Sequence, residues 1–259
     1  MQQAFVPGSV DYEGPMARGF NAGRGLSSNT LAVWRTAFLP HFKHADRVVD
    51  VGSGTGRFAV LIAEWFGSVV VGVEPAQGMR REAAASAKHS RVFYVGGRAE
   101  QLPLQEKWSA VALLSNVYHH IADPLACASE LHRVQRPGSR VLLRGAFAGR
   151  LGEITLFDHF PEAKLVCEQF PRMEDAVDVF ARFGFTFETV ERVVQQTCSS
   201  LKELAARTRL RADTTLMLMT DQAYAARQAA LEQTAATEIE PTPVVDTLDL
   251  LVLRKPAAS

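Results

Sequence analysis

The stretch Val48-Val-Asp-Val-Gly-Ser-Gly-Thr-Gly-Arg57, followed by Val69-Val-Val-Gly-Val-Glu74, decides the fold of this chain. The first segment reads as a buried parallel strand that breaks into a glycine turn and then opens a helix. The second reads as the neighbouring strand, with Glu74 at its carboxyl end. An acid about 20 positions beyond such a turn is placed to accept from a ribose hydroxyl pair. The pattern predicts a doubly wound α/β fold that holds a nucleoside-type cofactor.

The turn narrows the choice of cofactor. Its glycines fall at Gly52, Gly54 and Gly56, and Arg57 stands where the dinucleotide fingerprint would carry its third glycine. Pyrophosphate needs that helix amino terminus bare and close, so Arg57 weakens the dinucleotide reading. Asp50 lies two residues before the first glycine, where the strand emerges. A carboxylate there suits a cationic ligand better than a diphosphate, because it can accept from an ammonium group.

Composition frames the rest. The 259 residues suffice for one α/β domain with a cap, and Lys+Arg and Asp+Glu are both 28. That balance lacks the basic excess of nucleic-acid binding. The apolar runs are strand-sized and fall short of the roughly 20 residues of a membrane span. Met1-Gln-Gln-Ala lacks a basic region followed by an apolar core, which predicts a cytoplasmic protein without an export signal. Cys127, Cys167 and Cys198 are widely spaced and odd in number, so semi-buried thiols are expected, with neither a metal site nor a disulfide framework.

Helical and strand patterns alternate from about residue 28. Ser28 is expected to cap a helix that Pro40 helps to end. Further helices are expected from Thr55 to Phe66, from Pro75 to about Lys88 and from Pro124 to about Val134. Strands are expected at Arg91 to Gly96, at Ser109 to Ser115 and at Arg140 to Gly145. Such βαβ repetition implies a parallel sheet with helices on both faces. Residues 148–171 show no clean period and read as an insertion over the sheet edge. A helix from Arg172 to Phe183, a strand from Phe185 to Gln196, helices at Leu201 to Leu210 and Asp221 to Glu238, and a strand from Asp246 to Arg254 follow.

The acid-x-Gly-x-Gly-x-Gly turn resembles motif I of the class I S-adenosylmethionine-dependent methyltransferases. Gly97-Arg-Ala-Glu-Gln-Leu-Pro-Leu104, Ser115-Asn-Val-Tyr-His-His120 and Glu130-Leu-His-Arg-Val-Gln-Arg-Pro-Gly138 resemble successive motifs of its ubiquinone/menaquinone-biosynthesis-like branch. Phe20-Asn-Ala-Gly-Arg24 is similar to the family's amino-terminal lid motif. Together these span residues 20 to 146 in order. The resemblance implies a Rossmann-like, doubly wound and mostly parallel seven-stranded sheet, with a terminal antiparallel strand and a partly helical cap. It implies one methyltransferase domain over 1–259, with a mobile lid at 1–30, a cofactor-binding core at 45–146, and substrate-cap insertions at 148–171 and 199–238.

Residue by residue, the resemblance implies that Gly52, Gly54 and Asp50 line the S-adenosylmethionine crevice. Glu74 grips the ribose, Met79 packs on adenine, Arg24 pairs with the methionyl carboxylate, and Ser115 lies beside the donor. The family often has Asp after the glycine of its third motif to accept from the adenine amino group. Here that residue is Arg98, which cannot accept, so either Glu100 or a backbone carbonyl takes the amino group, or Arg98 points out and only the Ala99 backbone N–H reaches the ring; backbone recognition is the expectation. His119 and His120 fall at the crevice and are candidate general bases, since imidazole titrates near neutrality; His119 has a slight edge, and His159 is a second candidate on the insertion. Packing is the duller alternative for His119 and His120, and for His159 it is a cap position that lines the pocket or a solvated side chain. The expected reaction is methyl transfer to an O, N or C atom of a small, partly apolar molecule, without nucleic-acid or membrane partners. A cofactor-binding module without transfer and a dinucleotide oxidoreductase remain open. The sequence is silent on oligomeric state.

Overall fold

The computed structural model describes residues 5–8, 10–13, 20–23 and 25–257. Seven strands form one sheet in the order β3-β2-β1-β4-β5-β7-β6. They are β1 (Arg47–Val51), β2 (Val69–Val73), β3 (Val92–Val95), β4 (Ser109–Ser115), β5 (Gln135–Gly145), β6 (Thr186–Cys198) and β7 (Val244–Arg254). Strands β1 to β5 pair in parallel, and β7 runs antiparallel between β5 and β6. The chain leaves β1 towards β2 and β3, then crosses back to β4. The switch point between β1 and β4 opens the crevice where doubly wound sheets bind ligands, beyond the carboxyl ends of the strands.

Side-chain alternation along the strands builds two cores. Val49, Val51, Ala112, Leu114, Val141 and Leu143 face one layer, covered by the helices Pro124–Val134 and Met173–Ala181. Val48, Val70, Val111, Leu113 and Leu142 face the other, against Trp34, Phe38, Phe58 and Ile62 of the helices Ser28–Phe42 and Arg57–Phe66. The central strands therefore read as continuous apolar runs, because both of their faces are buried. A third cluster joins Leu151, Phe157, Phe160, Val166 and Phe170 to Cys198, Leu204, Leu216, Leu231 and Val244. The segments expected as cap insertions thus supply most of one shared apolar cluster. All three cysteines are free and buried.

Several boundaries differ from expectation for local reasons. Ser27, not Ser28, caps the first long helix, its hydroxyl accepting from Thr30 N at 3.2 Å. Pro40 lies inside that helix, which continues to Phe42 because the buried Phe38 and Phe42 hold its last turn against the core. The next helix begins at Arg57 because Gly54 and Gly56 adopt positive φ, +54° and +79°. The helix after β2 begins at Gln77 rather than Pro75, since Ala76 N turns back to the Glu74 carboxylate at 2.8 Å. Strand β5 starts at Gln135, paired with Ser109 across a register shift. The aperiodic insertion contains helices Leu156–His159 and Pro161–Cys167, and a further short helix covers Thr214–Met217. One or two turns are too short to show a period.

Candidate functional site

A cavity of about 580 Å³ opens at the carboxyl ends of β1, β2, β4 and β5. Asp50, Gly52, Gly54, Glu74, Met79, Ala99, Glu100, Ser115, His119 and His120 all line it. The topology therefore gathers into one place every described residue that the sequence singled out, apart from His159, which does not line it. Arg24 lies outside the described residues, as does half of the stretch from 1 to 24.

The glycine turn is locked by its neighbours. A Cβ at Gly52 would stand 2.3 Å from a methyl of Val117, and φ there is +66°. Gly54 differs: a Cβ there would meet nothing within 4 Å, so its backbone faces open space. Gly54 N donates to Glu74 at 3.0 Å, so the acid at the end of β2 holds the turn at the end of β1. Thr55 donates to Asn21 at 2.6 Å, which ties the amino-terminal segment to the same turn.

Two carboxyls share this corner. Asp50 is 2% exposed, and burial, reinforced by the nearby charge of Glu74, pushes its pKa up to about 8. Among the described residues none donates a hydrogen bond to its carboxyl. Glu74 is also raised by burial, but the amides of Ala76 and Gly54 oppose the rise. Burial holds the pair towards its protonated form, and a cation placed beside it would favour the ionised one.

On the adenine side expected from the resemblance, Met79 and Ala99 are buried. The Arg98 side chain is 70% exposed and stands 4.0 Å from Glu100. Glu100 is engaged elsewhere, accepting from Ala122 N at 3.1 Å.

The two histidines have different surroundings. His119 stacks on Phe170, with ring centroids 4.0 Å apart and planes at 7°. His120 Nε2 lies 3.0 Å from Tyr12 Oη and 3.2 Å from Thr214 Oγ1, and these hydroxyls are 2.7 Å apart. Tyr12 and Thr214 carry no motif, and only the fold brings them to His120. Just before them, Asn116 takes a left-handed φ of 53°, and its amide donates to Arg144 O at 2.7 Å. Such backbone is uncommon outside glycine and clusters at sites. Arg144 also lines the cavity, from the end of β5. A lone charge ending the apolar run Val141-Leu-Leu143 was the available signal for it.

Residues 49–143 match the family profile described as a methyltransferase domain. A protein named as an uncharacterized methyltransferase of Mycolicibacterium gilvum is 36% identical over 123 residues, which cover 46% of this chain and 47% of that protein. A demethylmenaquinone methyltransferase of Roseiflexus castenholzii is 29% identical over 130 residues, covering 49% and 55%. The matches thus span about half the length of these curated relatives. Among solved structures, a candidate methyltransferase from an antibiotic biosynthesis pathway of Anabaena variabilis superposes with a TM-score of 0.70 at 18% identity, over 87% of this chain and 99% of that one. The [4+2]-cyclase SpnF superposes with a TM-score of 0.64 at 19% identity, over 91% and 85%. At such identities the likeness shows the fold, and the sequence matches add that residues 49–143 are similar to a methyltransferase domain.

Proposed function

We propose that this protein binds S-adenosylmethionine in the crevice above β1, β2 and β4 and transfers its methyl group to an O, N or C atom of a small, partly apolar molecule. The observation that carries this reading is the buried Asp50–Glu74 pair beside the open face of Gly54. A cationic nucleoside answers both acids, whereas a dinucleotide diphosphate would add negative charge to them. When bound, the cofactor supplies a methyl group on an electrophilic sulfonium.

The chain supplies position and a dry site. Glu74 accepts from the ribose hydroxyls while keeping the glycine turn in place. Asp50 ionises towards the cofactor's ammonium group. Met79 and the Ala99 backbone flank the adenine. Phe157, Phe170 and Leu216 line the cap side of the cavity, which suits an acceptor with apolar parts. His120 is the better placed histidine to receive a proton, at Nε2, because two hydroxyls converge there; His119 serves as a stacked wall. The fold is shared with a [4+2]-cyclase, so transfer is to be tested separately from cofactor binding.

Equilibrium titration with S-adenosylhomocysteine tests the assignment. Glu74→Ala is expected to weaken binding by about 1–3 kcal/mol, the range for stranded buried partners. Glu74→Gln, which keeps one acceptor for the turn, is expected to lose less. Unchanged affinity in both variants would remove Glu74 from the cofactor site.

A further inference from the structure

Asp50, Gly72 and Tyr94 stand in one row across β1, β2 and β3, each the register partner of the next, so they share a face of the sheet. Gly72 leaves a gap in that row. A Cβ there would lie 2.7 Å from Ser53 Oγ and 2.9 Å from Tyr94 Cδ1, so the tyrosine ring leans in from the sheet edge across β2. Its far end reaches Gly56, where a Cβ would lie 2.1 Å from Tyr94 Oη. Oη donates to Ala87 O at 2.8 Å, and Gly56 O is a longer 3.4 Å away. Gly56 is the amino-terminal cap of the helix Arg57–Phe66, and Ala87 the carboxyl-terminal cap of the helix Gln77–Ser86. One phenol thus stands between two helices whose first turns line the cavity, through Arg57, Phe58 and Met79. Burial and the charge of Asp50 raise the phenol's pKa, so Oη keeps its proton and remains a donor. Tyr94 itself does not line the cavity, although Asp50, Ser53 and Gly54 do.

We propose that Tyr94 is a positioning residue for the cofactor site: laid across Gly72, its ring holds the glycine turn, and so the open face of Gly54, in the shape that receives the donor. This inference rests on the reading of the crevice as an S-adenosylmethionine site. Glycine has more backbone freedom than any other residue, and a turn with three of them would lose affinity if it had to be ordered on binding. Each glycine is met by one neighbour: Gly52 by Val117, Gly54 by the Glu74 carboxylate and Gly56 by Tyr94. Val117 and Glu74 belong to the cavity wall, where a ligand can touch them. Tyr94 acts only from behind the turn. Replacing it therefore leaves every group on the cavity wall in place, and an effect on the ligand has to pass through the turn.

Hydrogen exchange and calorimetric titration with S-adenosylhomocysteine, on wild type, Tyr94→Phe and Tyr94→Leu, test this. The turn amides bond to Val73 O, Glu74 and Ser53 O. In ligand-free Tyr94→Leu, which empties the space beside Gly56, exchange at residues 52–56 is expected to speed up while Leu250–Leu253 of β7 exchange as in wild type. Affinity for S-adenosylhomocysteine is expected to fall about 10–100-fold in this variant, because the turn is no longer pre-organised. Tyr94→Phe keeps the ring and loses the bond to Ala87, and is expected to lose about 3–10-fold. Gly56→Ala should cost less affinity in the Tyr94→Leu background than in wild type, since its methyl group no longer meets the ring; the strain of a side chain at φ +79° is common to both and cancels. A role in core packing alone predicts another pattern: a lower melting temperature, faster exchange across the whole sheet and unchanged affinity. That pattern, or additive losses in the Gly56→Ala pair, would overturn the inference. If melting curves show that Tyr94→Leu does not fold, Tyr94→Phe decides, with wild-type affinity and wild-type exchange at 52–56 counting against it. Failure of wild type to bind S-adenosylhomocysteine would contradict the proposed function, whereas ligand-free exchange would still decide whether Tyr94 holds the turn.

Discussion

Asp50 carries a buried carboxyl whose pKa is pushed far above its ordinary value. In the folded protein without a cation its carboxyl stays protonated up to about pH 8, while in the unfolded chain it ionises near its ordinary value of 3.8. The unfolded state therefore binds fewer protons between those values, and stability falls as pH rises, by up to about 1.4 kcal/mol per unit. Glu74, also raised by burial, acts in the same direction. Asp50→Asn is expected to flatten the decline, so that its ligand-free melting temperature exceeds that of wild type at pH 8; parallel profiles would refute the buried-acid description. A cation beside Asp50 restores its ionised form, so S-adenosylhomocysteine binding at pH 7 is expected to release close to one proton. Titrations in buffers of different ionisation enthalpy read that number, and zero release would remove Asp50 from the cofactor's cationic end. His120→Ala is expected to lower turnover about 10²–10⁴-fold on an identified acceptor with donor affinity nearly intact, and His119→Ala far less. Equal losses would restore His119 to the chemistry. Asp50, Glu74 and the histidines were legible because each sits at a fixed offset from a strand end. Tyr12, Thr214 and Gln195 were not, since they meet His120 and Arg144 only through contacts distant in sequence.

At the scale of elements, the amino-terminal segment is tied to the crevice at three points. Tyr12 reaches His120, Asn21 accepts from Thr55 in the glycine turn, and the Glu13 carboxylate accepts from Gln77 N at 2.7 Å, at the start of the helix after β2. An anion at a helix amino terminus is favourably placed. These contacts join the glycine turn, the start of the helix after β2 and His120 around one cavity. Hydrogen exchange at residues 10–13 and 20–23 is expected to slow when S-adenosylhomocysteine is present, and equal protection in both states would contradict closure. Strands and long helices were readable because buried faces impose their periods over many residues. Boundaries shifted wherever one hydrogen bond decided the start, as at Ser27 and Ala76. The short helices Leu156–His159 and Thr214–Met217 follow from local caps and tertiary packing rather than from a pattern.

At the scale of the molecule, a seven-stranded sheet with two faces of core brings Asp50, Glu74, Ser115, His120 and Arg144 to one end. The order of the motifs along the chain was enough to anticipate that sheet, since parallel βαβ connections leave few arrangements. The cap was less readable, because its apolar cluster is assembled from two segments on either side of β6. The central claim is that this end holds a cationic nucleoside rather than a dinucleotide. Calorimetric titration of the wild-type chain with S-adenosylhomocysteine and, separately, with NAD tests it most directly. Saturable one-site binding of S-adenosylhomocysteine, with no measurable heat from NAD at the same concentrations, is the expected result; saturable binding of NAD without binding of S-adenosylhomocysteine would contradict it.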